Sequence, residues 1–297
     1  MSLLRAIFIF PIHFTLQMSN LGFWAVLIVL FGLIKLLIPL PPFNRHINAL
    51  NAVFEIAFGV ISVKLITLFN RVTIESNIPH SISPEGWYLI TANHRSYLDI
   101  ILLIGFAKGN YPAPKFFLKK ELIWLPFVGL GAWALDMPFM RRYSKAQIEQ
   151  QPSLKGKDIA TTQAACEKYR NTPTTIINFV EGTRFTPQKH IQKNSPYQYL
   201  LPPKAAGIAF TLAAMGNLFA NMLDVSIFYP QNSKWPMMDM LCGSMQRIII
   251  DIKEIPISSN MRGNYQEDEL FRKHFQVQLN TLWEEKDLRI QTLLQDN

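Results

Sequence analysis

From Leu21 to Leu40 the chain runs for twenty residues with a single charge, Lys35, near the end. A helix of that length reaches across a hydrocarbon core of ~30 Å, so the run is read as membrane-inserted. Lys35 is placed to snorkel toward the headgroups. Pro39, Pro41 and Pro42 end the run, and Asn44-Arg45 marks the return to water. Residues 1–18 before it are apolar with one charge, Arg5, and are expected to break at Pro11. They have the charged start and apolar middle of a signal peptide, but no small-residue cleavage site follows.

A second apolar stretch, Ala49–Phe69, is less clean. Asn48, Asn51, Glu55 and Ser62 fall near one side at ~100° per residue, with Gly59 close by. That predicts a helix with one narrow polar face, lying in the membrane interface or packed on protein. A second full span is disfavoured because a carboxylate such as Glu55 is costly at the bilayer centre. With one span, Lys35, Arg45, Lys64 and Arg71 outweigh Arg5 and place the remainder in the cytoplasm. With two spans, the N-terminus and the globular part share a side, which again permits a cytoplasmic domain.

From about residue 71 the pattern turns globular, giving a membrane-associated helical region over 1–70 and a second unit over 71–297. Val72–Glu75, Trp87–Ala92, Phe116–Leu118, Thr174–Val180, Asp224–Tyr229 and Gln246–Ile252 read as strands. Tyr97–Ala107, Lys155–Arg170, Ala205–Met215 and Phe271–Trp283 read as helices, the last followed by a polar tail. Trp124–Met140 is a Gly/Trp-rich apolar stretch, and the Pro-containing tract 186–203 is expected to be a loop. Strands alternating with helices predict an α/β fold with a largely parallel sheet flanked by helices.

The formal net charge is +8 and the pI near 9.4. This balance suits an anionic lipid surface or a phosphorylated substrate. Nucleic acid is disfavoured as a partner, because no basic tail, zinc finger or RNP-like string is present. Cys166 and Cys242 stand far apart, offering neither metal spacing nor a disulfide framework, as in a reducing compartment.

The chemistry gathers where strands end. Trp87–Ala92 breaks at Asn93-His94, and helical spacing starts at Tyr97, with Asp99 in or near the first turn. Ligands usually bind at the carboxyl ends of strands in α/β sheets. A His-x-x-x-x-Asp pair there lets the carboxylate hold one imidazole nitrogen while the other takes a proton. A simple helix cap would account for Asp99 equally well. A second strand ends in Glu181-Gly182-Thr183-Arg184, and Lys119, Arg141 and Arg142 add cations near other strand ends. A base beside cations suits deprotonation of a hydroxyl on a molecule carrying phosphate. There is no Gly-x-Ser-x-Gly elbow, Walker A loop, Gly-x-Gly-x-x-Gly or His-Glu-x-x-His. Without an obvious protein nucleophile, the attacking oxygen is free to be the substrate's own.

Asn93-His94-Arg95-Ser96-Tyr97-Leu98-Asp99, followed by Phe179-Val180-Glu181-Gly182-Thr183-Arg184, resembles the glycerolipid acyltransferase family. That family includes bacterial 1-acylglycerol-3-phosphate and lysocardiolipin-type acyltransferases. Phe139-Met140-Arg141-Arg142 resembles the family's Phe-Ile-x-Arg block, and Lys119-Lys120-Glu121-Leu122 its Lys-x-Glu-Leu string. Leu201-Pro202-Pro203-Lys204, Leu223-Asp224-Val225-Ser226-Ile227 and Trp283-Glu284-Glu285-Lys286-Asp287 resemble downstream blocks, the last two of the lysocardiolipin-like branch. The resemblance covers roughly residues 85–290. It implies His94 as general base oriented by Asp99. The acceptor would be bound by Glu181, Gly182, Thr183 and Arg184, with Arg142 and Lys119 adding positive charge. It further implies a lysophospholipid acceptor, an acyl-CoA or acyl-carrier protein donor, no acyl-enzyme, no cofactor and no metal. The location implied is a membrane, the bacterial inner membrane, with the catalytic domain facing the cytoplasm. Met137-Pro138-Phe139-Met140 lacks the family's frequent acidic residue before the arginine, which leaves the choice between Arg141 and Arg142 open. The rival is a non-catalytic basic protein binding anionic lipid, which would not need His94 and Asp99 together.

Overall fold

The computed structural model describes residues 3–140, 150–151, 160, 164, 166–265 and 267–295. Two long apolar helices lead the chain, α1 (Leu3–Leu37) and α2 (Pro41–Phe69). α1 continues through Pro11, so the break expected there is absent; an apolar helix absorbs one missing N–H more readily than it exposes open backbone. By length and hydropathy both helices could cross a membrane.

The polar stripe of α2 exists as expected, and it packs on protein. Asn51, Glu55, Gly59 and Ser62 are its buried positions, while Val53, Ile61 and Leu68 face outward. Asn20 of α1 donates to the Ser62 hydroxyl at 2.9 Å, and Gln17 to the Ser62 carbonyl at 3.2 Å. Glu55 pairs with Lys115 at 3.5 Å, which offsets the cost that counted against a deeply inserted helix. Lys35 is held by Asp136 at 2.5 Å and Asn48 at 3.0 Å. A Cβ on Gly59 would lie 2.5 Å from the Gly105 nitrogen, so the missing side chain lets α2 meet α3 (Leu98–Phe106) backbone to backbone.

The main sheet holds β1 (Thr73–Asn77), β2 (Tyr88–Ala92), β3 (Pro114–Phe116), β6 (Thr175–Phe179), β7 (Asn221–Phe228) and β8 (Arg247–Ile255). Their spatial order is β1-β8-β7-β2-β6-β3. Every neighbouring pair is parallel except β7 with β8, as a largely parallel sheet requires. The single strand expected over Phe116–Leu118 is two: β3 stays in the main sheet, and β4 (Leu118–Lys119) pairs with β5 (Phe139–Met140). Between them lies α4 (Val128–Ala134).

Side-chain alternation along the strands splits the core. Ile90, Ala92, Ile177, Val225 and Ile250 face α2, α3 and α4. Leu89, Ile176, Met222 and Ile249 face α6 (Ala205–Met215) and the C-terminal α8 (Glu269–Gln295). Strands covered on both faces read as continuous apolar runs, which is why β2 and β6 were legible. Two expectations need correction. The tract 186–203 contains a helix, α5 (Pro187–Gln192), begun by the Thr186 hydroxyl accepting from the Lys189 N–H at 3.2 Å. The polar tail after Trp283 stays helical to Gln295, because Lys286 and Ile290 are buried on the sheet. α7 (Pro236–Leu241) packs against α1 and α2. Most of the helix expected over Lys155–Arg170 lies outside the described residues.

Candidate active site

β2 and β6 are adjacent and parallel, so their carboxyl ends lie side by side. His94 follows the first and Glu181-Gly182-Thr183-Arg184 the second. Asn93 fixes the exit from β2: its side-chain amide donates to the Ile227 carbonyl and its oxygen accepts from the Ile227 N–H, each at 2.9 Å. The two loops are tied directly, the Phe185 N–H donating to the His94 carbonyl at 2.7 Å.

The His94 Nδ1 lies 2.8 Å from the Asp99 Oδ2. That same oxygen accepts from the backbone N–H groups of Arg95 (2.7 Å) and Ser96 (2.9 Å). The Tyr229 hydroxyl donates to Oδ1 at 2.6 Å. Both N–H donors precede α3, so Asp99 is not serving as its cap; the N-cap, Tyr97, has no side-chain cap, and the Ser96 hydroxyl just before it accepts from the Leu98 N–H at 3.3 Å. Asp99 is fully buried, and these four contacts fix the position of both of its oxygens. Burial, then the neighbouring Asp99 charge, keeps the Tyr229 phenol well above its ordinary range, so it remains a donor. With Nδ1 committed, Nε2 is the nitrogen left to exchange a proton. The imidazole stacks on Phe179 at 4.0 Å, which fixes its plane.

Glu181 is buried, and its Oε1 accepts weakly from the His94 N–H at 3.4 Å. Burial pushes its carboxyl up to about 8, with Arg95 pulling the other way. A group raised in the folded state binds its proton more tightly there than in the unfolded chain. Its contribution to stability is therefore complete below its ordinary pKa of 4.5 and lost as pH rises through about 8. The melting temperature of the protein relative to a Glu181→Gln variant should fall between roughly pH 5 and pH 8. A flat difference across that interval would mean that Glu181 is already ionised at pH 5.

Gly182 has φ +67°, a conformation costly for other residues, and a Cβ there would press within 3.1 Å of the Lys204 side chain. Thr183 accepts from Lys189 Nζ at 2.7 Å, and Lys189 also donates to the Arg184 carbonyl at 3.0 Å. The exposed Arg184 lays its guanidinium over the Tyr97 ring at 4.0 Å. Lys119 sits on β4, in the smaller sheet rather than at the end of β2 or β6. Arg141 and Arg142 lie outside the described residues.

The sequence did not single out Arg95. Its guanidinium is held between Phe185 (4.1 Å) and Phe228 (4.3 Å) and donates to the Tyr199 carbonyl at 2.8 Å. Burial draws it down to about 10, so it stays charged beside Glu181 and Asp99. All of its partners come from distant segments, and only its place after His94 could have pointed to it.

A histidine held by a buried carboxylate, beside a turn of polar groups and arginine at the carboxyl end of an α/β sheet, is chemically able to take a proton from a bound hydroxyl. The family model described as Acyltransferase matches residues 70–228, more than half of the chain, and the chain belongs to that family. It is 25% identical over 185 residues to 1-acyl-sn-glycerol-3-phosphate acyltransferase 3 of Arabidopsis thaliana. That alignment takes in 57% of this chain and 46% of the plant protein, so the chain spans about half the length of its curated relative. The fold is similar to the crystal structure of the 1-acyl-sn-glycerophosphate (LPA) acyltransferase PlsC from Thermotoga maritima. The TM-score is 0.55 and the identity 20%, over 96% of this chain and 98% of that one.

Proposed function

We propose that this protein transfers a fatty acyl group from a thioester to the free hydroxyl of 1-acyl-sn-glycerol-3-phosphate, giving phosphatidate. The observation that carries this reading is the 2.8 Å His94–Asp99 contact at the strand ends, beside the Glu181–Arg184 turn. His94 Nε2 takes the hydroxyl proton as the oxygen attacks the thioester carbonyl. The tetrahedral intermediate collapses, the C–S bond breaks, and the leaving thiolate takes the proton from the imidazolium. Asp99 fixes the tautomer and stabilises the imidazolium while it exists. Arg184 pairs with the acceptor phosphate, Glu181, Gly182 and Thr183 shape its seat, and Lys119 and Arg142 add positive charge. The donor is acyl-CoA or an acyl-carrier protein thioester. The protein works at a membrane through α1 and α2, in this reading the bacterial inner membrane with the catalytic domain in the cytoplasm.

A second reading, acylation of a lysocardiolipin- or lysophosphatidylinositol-type acceptor, is supported by Asp224 and Lys286. These belong to the two blocks that resemble the lysocardiolipin-like branch, and they form a buried pair at 2.9 Å.

The test is acyl transfer from oleoyl-CoA by membranes carrying the protein, over a panel of lysophospholipids. Product with lysophosphatidic acid above all supports the phosphatidate assignment, and product mainly with another lysolipid moves the acceptor. Arg184→Ala should raise the acceptor KM roughly 10- to 150-fold, the equivalent of ~1.5–3 kcal/mol for a charge-assisted contact. An unchanged acceptor KM removes Arg184 from the phosphate site.

A further inference from the structure

Between β4 and α4 the chain turns a cluster of large apolar side chains outward. Trp124 is 86% exposed, and Leu125, Phe127, Val128 and Leu130 are exposed with it. This is not a frayed loop. A Cβ on Gly129 would lie 2.1 Å from the Ile123 carbonyl oxygen, so the turn is closed on itself. Phe127 is held at φ +61°, a conformation costly for a bulky residue, with its ring facing out.

We propose that the Trp124–Leu130 surface is a third lipid-contacting element, which seats the open end of the catalytic sheet on the same bilayer that α1 and α2 enter. The proposal rests on the membrane reading above, and three observations carry it further. First, the surface is continuous with α1: a Cβ on Gly32 would lie 2.5 Å from the Ala134 Cβ, so α4 packs directly on that helix. Leu33, Leu36 and Leu37 of α1 are exposed near this junction. Second, its depth is marked. Lys35, the one charge of the long apolar run, bonds to Asp136 just beyond α4. The surface thus joins α1 close to where that helix leaves the apolar layer, the boundary that tryptophan favours. Third, it lies at the active end. β3 runs parallel to β6, and β6 to β2, so the segment leaving β3 emerges on the side of His94 and Glu181. An acceptor embedded by its acyl chain would then meet the site without leaving the membrane.

The experiment uses the full chain with Cys166→Ala and Cys242→Ala, reconstituted in phosphatidylethanolamine–phosphatidylglycerol vesicles. Spin labels are placed through Trp124→Cys, Val53→Cys on the outward face of α2, or Leu288→Cys on α8. Collision with oxygen, which partitions into lipid, is compared with collision with a water-soluble nickel chelate. The expected result is an oxygen-favoured label at 124, matching 53 and opposite to 288. A label at 124 behaving like 288, with 53 still in lipid, overturns this proposal alone. A label at 53 in water overturns the membrane reading as well. Dipolar broadening between labels at 124 means that a second copy of the chain covers the surface, and this also overturns the proposal. As a functional counterpart, Leu125→Asp with Val128→Asp should raise the apparent KM for vesicle-borne acceptor at least about tenfold, and leave the rate on a monomeric short-chain acceptor unchanged. Equal losses in both formats count against it.

Discussion

Replacing His94 with alanine lowers acyl transfer by about 10²- to 10⁴-fold, the range general-base catalysis supplies, while the protein stays in the membrane fraction. The separation follows from geometry. Among the described residues the His94 side chain bonds only with Asp99 and stacks on Phe179, whereas α1 and α2 carry the apolar outward faces. Asp99→Asn should lose activity on a similar scale for a different reason. An amide presenting its oxygen to the Arg95 and Ser96 N–H groups keeps the loop closed, but it no longer stabilises an imidazolium at Nδ1. The pH profile separates the two. The asparagine variant should regain rate as the pH rises and proton removal becomes easier, and the alanine variant should stay flat. Turnover by His94→Ala within about twofold of wild type would exclude His94 as the base.

How far the site was visible in the sequence depends on how local its contacts are. His94 and Asp99 were legible because a strand, a break and a helix follow within a few residues, and the bond between them is local. The donor that holds the other oxygen of Asp99 was not legible: Tyr229 reaches it from the end of β7, 130 residues away. Arg95 was hidden for the same reason, since its aromatic sandwich joins residues 95, 185 and 228. The polar stripe of α2 was read correctly as a stripe, but its direction depended on Gln17, Asn20 and Lys115, which periodicity within one helix cannot supply. The α5 helix had a local signal, Thr186 followed by Pro187, that was outweighed by the prolines around it.

The largest effect on stability is expected at Lys286, a charged residue on the same buried face of α8 as Phe275, Leu279, Trp283 and Ile290. It is fully buried and donates to the Asp224 Oδ1 at 2.9 Å and to the Val225 carbonyl at 2.6 Å, with its ammonium 4.5 Å over Trp283. Burial lowers its pKa and the Asp224 carboxylate opposes that shift. The paired strand residue Thr91 also donates to Asp224, at 3.3 Å, and Arg289 approaches its other oxygen at 2.7 Å. Lys286→Met keeps the volume but leaves Asp224 buried with less compensation. Breaking such a pair costs ~3–5 kcal/mol, and the remaining Arg289 contact puts this case near the lower end. For a chain of this size that corresponds to a fall in Tm of about 5 °C, read from tryptophan fluorescence of the detergent-solubilised protein. Combining Lys286→Met with Asp224→Asn removes the stranded charge while the amide oxygen still accepts from Arg289, so more than half of the loss should return. No recovery in the double variant would mean that the cost lies in packing against Trp283. Full stability in the single variant would mean that α8 is held by its apolar contacts, Phe275, Leu279 and Ile290, without help from the charges. Lys286 also lies close enough to Glu181 for its charge to lower that carboxyl. The single variant should therefore push Glu181 further up and shift the pH dependence of the difference from Glu181→Gln to higher pH, linking the C-terminal helix to the Glu181–Arg184 turn through electrostatics alone.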